Sequence, residues 1–158
     1  MKYIVETKGV IGNYNNDIKY KTEKDTNKEF VTQRVAELLR LKKFDEWCWW
    51  FYNLIDDDTP DFHYSLERWT ECPHRNSEHS DDSMSILSAP TVQAAIDWLE
   101  TKGYWIVYCP LDYFSGVNVS ILAADEEDEW YIVNNFVTPT KYKGLNKALE
   151  FCLGNLIR

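Results

Sequence analysis

From residue 89 to the C-terminus the hydrophobic pattern switches from a helical period to an alternating one and back, which leaves few folds open to this chain. Ser88-Ala89-Pro90-Thr91 opens the segment: Pro90 is pre-set for a first helical turn, and Ser88 or Thr91 can cap its free amides. Val92, Ala95, Ile96 and Leu99 recur at helical spacing, and Gly103 stands where a C-terminal cap needs positive φ. This predicts a helix over 91–102. Three β-branched and aromatic runs follow, at 104–109, 117–124 and 130–133, the last two joined by the acidic run 125–129. Tyr142, Leu145, Ala148, Leu149, Cys152, Leu153, Leu156 and Ile157 then form one stripe, which predicts a helix over 142–157. Both stripes need cover, and the nearest cover is the sheet between them. The fold class expected is therefore α+β, an antiparallel meander over about 104–133 with both helices on one face.

The first half is less regular. Residues 1–20 could form a short hairpin through Gly12-Asn13, and 21–28 read as a polar loop. Thr32 caps a helix through Lys43, with Val35, Leu38 and Leu39 inward and Arg34, Glu37 and Arg40 outward. The run Trp47-Cys48-Trp49-Trp50-Phe51-Tyr52 is too aromatic for a solvated loop and reads as a strand, with residues 62–69 as its return partner. Residues 70–83 read as a polar loop. No repeat or linker cuts the chain, so 1–158 is expected to be one domain, divisible at most into an aromatic-rich 1–88 and the unit 89–158.

Composition bounds the function. A chain of 158 residues can bury roughly two-thirds of its unfolded surface, and 44% hydrophobic residues supply a core. The N-terminal apolar run is too short for a signal peptide, and no stretch reaches about eighteen apolar residues. No membrane association is expected. Cys48, Cys72, Cys109 and Cys152 are dispersed, three of them in apolar or aromatic runs, which fits reduced core thiols in the cytoplasm. The net charge of −9 is uneven: two basic against ten acidic residues fall in 46–88. The C-terminal order of elements resembles that of the double-stranded RNA-binding domain, but that module needs a basic helix terminus and Lys143 and Lys147 stand almost alone here. The likeness is one of topology, and nucleic acid is not an expected partner.

A wider resemblance rests on Phe30-Val31-Thr32, Ala36-Glu37-Leu38-Leu39, Phe44-Asp45, the aromatic strand, Ser88-Ala89-Pro90-Thr91 with Ala95 and Trp98-Leu99, and the closing Tyr142-x-x-Leu145-x-x-Ala148-Leu149 helix. In these the chain resembles a group of small uncharacterised proteins of gut-bacterial genomes and their phages, over residue 30 to the end. That group's last helix is of the Tyr-Glu-Glu-Ala-Leu-Glu kind, where this chain has Lys143-Gly144-Leu145-Asn146. The resemblance implies a fold and an origin and no activity.

Three constellations bear on chemistry. Cys72, His74 and His79, with His63, Asp81 and Asp82 nearby, are the weak candidates for a transition-metal site, although their spacing is not that of any zinc finger. The plainer reading is a polar loop that holds the histidines. A Cys72–His74 or Cys72–His79 nucleophile pair would be recognised by its geometry and an orienting third group, neither of which a sequence displays. The acidic runs at 56–58 and 125–128 lack the alternating ligands and the glycine of a calcium loop and read as solvated turns. No catalytic residue, cofactor or phosphate loop is expected.

The aromatic strand carries the interaction reading. Alternation sends Trp47, Trp49 and Phe51 to one face and Cys48, Trp50 and Tyr52 to the other. Either the fold sandwiches the strand, or Trp47, Trp49, Trp50 and Tyr52 contact a protein partner or a second copy. Trp69, Trp98, Trp105 and Trp130 read as core or core-edge residues. Seven Trp, ten Tyr and seven Phe exceed what a core of this size usually needs. The expectation is a non-enzymatic, acidic interaction or accessory protein of phage or mobile-element origin; the alternative is a metal-dependent enzyme using the loop from Cys72 to Asp82.

Overall fold

The structure is a computed structural model that describes residues 29–55, 63–79, 84–111 and 116–157. The hairpin expected over 1–20, the loop over 21–28, the acidic run 56–58, Asp81 and Asp82 lie outside them. Helix α1 (Gln33–Leu41) leads into strands β1 (Trp50–Ile55), β2 (His63–Arg68) and β3 (Ile86–Ser88). Helix α2 (Val92–Glu100), strands β4 (Tyr104–Pro110), β5 (Val117–Ala124) and β6 (Trp130–Thr138), and helix α3 (Lys141–Phe151) complete the order. The chain is α+β, with two antiparallel three-stranded sheets ordered β2-β1-β3 and β4-β5-β6.

Each helix starts where its hydroxyl cap stands. Thr32, Thr91 and Thr140 accept from the amides of Val35, Ala94 and Lys143, satisfying donors that a first turn leaves free. Gly103 takes φ +83 in the turn that follows α2, a backbone setting that costs a glycine little. Helix α3 crosses β4, β5 and β6 on one face, and α2 packs on β4 and α3. From the sheet, Ile106, Val119 and Ile121 meet Leu99, Leu145, Ala148 and Leu149, all buried. One core cluster joins these to Val31, Val35, Leu39, Phe44, Cys48 and Leu87 of the first half.

The first sheet covers both faces of β1. Trp50 lies against Phe30 with ring centroids 5.1 Å apart, and on the opposite face Phe51 stacks on Trp69 at 4.0 Å. Tyr52 donates its hydroxyl to the Val31 carbonyl at 2.7 Å. Both faces are thus covered at Trp50 and Phe51, while Trp47 and Trp49 before them are exposed. Regular pairing of the aromatic strand begins at Trp50 rather than Trp47 and runs on to Ile55. Two further boundaries differ from the sequence reading. Strand β6 continues past Val133 to Thr138, through Asn134 and Asn135, after a register shift opposite Ile121/Leu122. The predicted helix over 142–157 is regular to Phe151 and closes in a wider π turn, Cys152–Leu156.

Candidate functional site

The segment from Cys72 to His79, within the polar loop expected over 70–83, is pinned at four points. Cys48 and His74 exchange both backbone hydrogen bonds, at 2.7 and 2.9 Å, in an isolated bridge. Asn76 is buried; its Nδ2 donates to the Phe44 carbonyl at 2.9 Å and its Oδ1 accepts from the Ser88 amide at 3.0 Å. The Ser77 amide donates to Asp45 at 2.7 Å. A single 3₁₀ turn, Asn76–Glu78, then returns the Glu78 carboxylate to the Arg75 amide at 3.3 Å. A loop fixed in this way holds its side chains at set distances.

Three of those side chains form a chain. Cys72 Sγ lies 3.7 Å from His74 Nε2, and His74 Nδ1 lies 3.2 Å from Glu78 Oε2. The carboxylate favours the tautomer with its proton on Nδ1, which leaves Nε2 as the acceptor facing the thiol. Trp69 holds the His74 ring from one side, with centroids 4.2 Å apart, and His79 stacks on the same indole at 5.6 Å. Burial first, then the neighbouring His74 and Arg40, pushes His79 below the usual imidazole range, against the opposite pull of Glu78. The group lines an open pocket of about 860 Å³ with Trp47 and Pro73, a volume within the range of small-molecule sites.

The candidate residues of the sequence separate here. Cys72, His74 and His79 are neighbours, while His63 begins β2, at the strand's opposite end from Trp69. Among the described residues no group of three His, Cys, Asp or Glu side chains gathers as a metal site. Glu78, the third member of the chain, is the residue that sequence reading missed. Its i, i+4 offset from His74 was the available signal. The acidic turn has a structural use: Asp125 Oδ1 accepts from the amides of Glu127 and Glu129, both at 2.9 Å.

Of the aromatic candidates, Trp50 is buried and Tyr52 half-buried, whereas Trp47 and Trp49 are exposed. Both exposed indoles carry a guanidinium, Arg75 over Trp47 at 4.6 Å and Arg68 over Trp49 at 4.9 Å. Cys109 and Trp130, expected in the core or at its edge, are exposed on the outer face of the second sheet. That face is the larger apolar surface. Register places Trp105, Val107, Leu122, Trp130, Ile132 and Val137 on the side away from α3. Val107 is 46% exposed, Trp130 55%, Ile132 63% and Val137 65%. Trp105 and Trp130 meet edge to face at 4.2 Å, so the aromatic end of the face is ordered without a cover.

Among the described residues no helix is long and apolar enough to cross a membrane. No family model matches the chain, and no curated protein and no solved structure matches it.

Proposed function

We propose that the chain is a non-enzymatic interaction module whose working surface is the outer face of β4-β5-β6 and whose occupant is a second copy of itself. One observation carries this: the outer face of the sheet has an apolar end built from Trp105, Leu122, Trp130 and Ile132, with Trp130 and Ile132 exposed, and exposed Val107 and Val137 continue it around the polar Ser120 and Asn135. Large exposed apolar patches mark interaction surfaces, and two identical sheet faces can pack at the spacing of a β-sandwich. Charge selects the arrangement. Five consecutive acidic residues, 125–129, close the β5–β6 end of the sheet, while Lys141 at the other end is engaged by Tyr108 on the α3 side. A two-fold axis perpendicular to the strands holds the two acidic turns at opposite ends of the interface, whereas an axis along the strands would bring them together.

The wider reading comes with this one. The resemblance of residues 30–158 supports an accessory role in gut-bacterial or phage genomes, and the buried thiols Cys48 and Cys152 suit a reducing cytoplasm. Sedimentation velocity at micromolar concentration tests the surface: a dimer is expected for the natural chain, and a monomer with an unchanged melting temperature for Ile132→Asp. A natural chain that stays monomeric overturns the proposal. Zinc found at one equivalent in the folded, purified protein would point instead to the metal-dependent reading of the 72–82 loop.

A further inference from the structure

The second exposed thiol belongs to none of this. We propose that Cys72 is a nucleophilic thiol, with His74 as its base and Glu78 as the positioning residue, that forms mixed disulfides with small apolar disulfides. Three observations point the same way. The distances, 3.7 Å from Sγ to Nε2 and 3.2 Å from Nδ1 to the carboxylate, give nucleophile, base and orienter in order. The backbone bridge from His74 to Cys48 and the buried Asn76 hold that order without a ligand. The pocket beside the thiol is walled by Trp47 and Pro73, an apolar lining that takes an uncharged aliphatic group.

The step balances as thiol–disulfide exchange. The Sγ proton passes to His74 Nε2, and the thiolate attacks one sulfur of the disulfide. An Sγ–S bond forms as the S–S bond breaks. The departing thiolate takes the proton from His74, so Cys72 is oxidised and the leaving half of the disulfide is reduced to a thiol. Glu78 steadies the imidazolium while it holds the proton. No oxyanion cradle is needed, because no charge develops on oxygen. The product is a modified protein that a free thiol reverses.

The other three cysteines supply controls. Cys48 and Cys152 are buried and report on folding, and Cys109 is exposed on the open sheet face, so a Cys109→Ser chain leaves Cys72 as the one exposed thiol among the described residues. That chain is incubated with diethyl disulfide at neutral pH, and the mixed disulfide is followed by peptide mass spectrometry beside N-acetylcysteine amide as a free reference thiol. Cys72 is expected to react at least about tenfold faster than the reference, a modest share of what general base assistance can supply. His74→Gln should remove that advantage while Cys48 and Cys152 stay unmodified. Glu78→Gln should lower the rate less, and nitrogen-15 spectra of its His74 ring should show a mixture of tautomers where the natural chain shows one. A Cys72 rate at or below that of the reference overturns the proposal, even if the variants fail to fold. So does a folded His74→Gln chain that reacts as fast as its parent.

Discussion

Gly144 stands inside α3, where a glycine is ordinarily a weakness. A Cβ at this position would lie 2.5 Å from Val119 Cγ2 and 2.6 Å from Thr138 Oγ1, so the helix comes down on the sheet with room for a hydrogen atom alone. Two residues on, Asn146 is buried; its Oδ1 accepts from the Thr32 amide at 2.8 Å and its Nδ2 donates to the Tyr142 carbonyl at 3.1 Å. That bond ties α3 to the first turn of α1. A glutamate at 144 or 146 would place a carboxylate inside this contact. Gly144→Ala would gain about 1 kcal/mol of helix propensity, against roughly 1–3 kcal/mol for overpacking. With two atoms closer than 3.0 Å the second effect wins, and a net loss of up to about 2 kcal/mol is expected from urea unfolding. A midpoint equal to that of the natural chain would mean that the helix has room to lift.

At the scale of elements, α3 is the piece on which the second sheet depends. Leu149 of α3 is fully buried in the core cluster, and Leu149→Asp puts an unpaired charge there. Loss of the cooperative thermal transition is expected; a calorimetric trace like that of the parent would show that the stripe is not core. The sequence discloses such stripes well, because a helix with one apolar face must bury it, and the three threonine caps stand directly before the helices they start. Strands are less legible. Ile86–Ser88 is too short to show alternation, and Asn134-Asn135 interrupts the apolar run of β6 although the backbone pairing continues through them. Alternation also says which residues share a face and not which face is covered, so Trp130 reads as core until α2 and α3 are seen to lie together on the opposite side. The site was legible as residue types alone. Cys72 and His74 stand two residues apart in any reading, but their facing geometry comes from a bridge to Cys48 and from Asn76 reaching Phe44, contacts between segments about thirty residues apart.

At the scale of the whole molecule, one core joins both sheets, and two thiols sit in it far apart in sequence. Cys48, just before β1, and Cys152, just after α3, belong to the same cluster of buried residues. Burial pushes each thiol from 9.0 up to about 12, because a thiolate would lose its hydration there. The sign for stability follows. Above pH 9.0 the unfolded chain releases both protons while the folded chain keeps them, so the folded state binds more protons and stability falls as pH rises. Below pH 9.0 the contribution is fully present, and by about pH 12 it is gone. Tyr52, raised by burial while its hydroxyl serves the Val31 carbonyl, works in the same direction. The urea midpoint is therefore expected to hold level from neutral pH to about 9 and then to fall steeply, with the signals of both sheets lost together. Replacing both cysteines by alanine should lower the neutral midpoint, since cavities open in the core, yet flatten the alkaline fall. A double variant whose midpoint falls above pH 9 as steeply as its parent's would show that the buried thiols do not govern the alkaline limit of this fold.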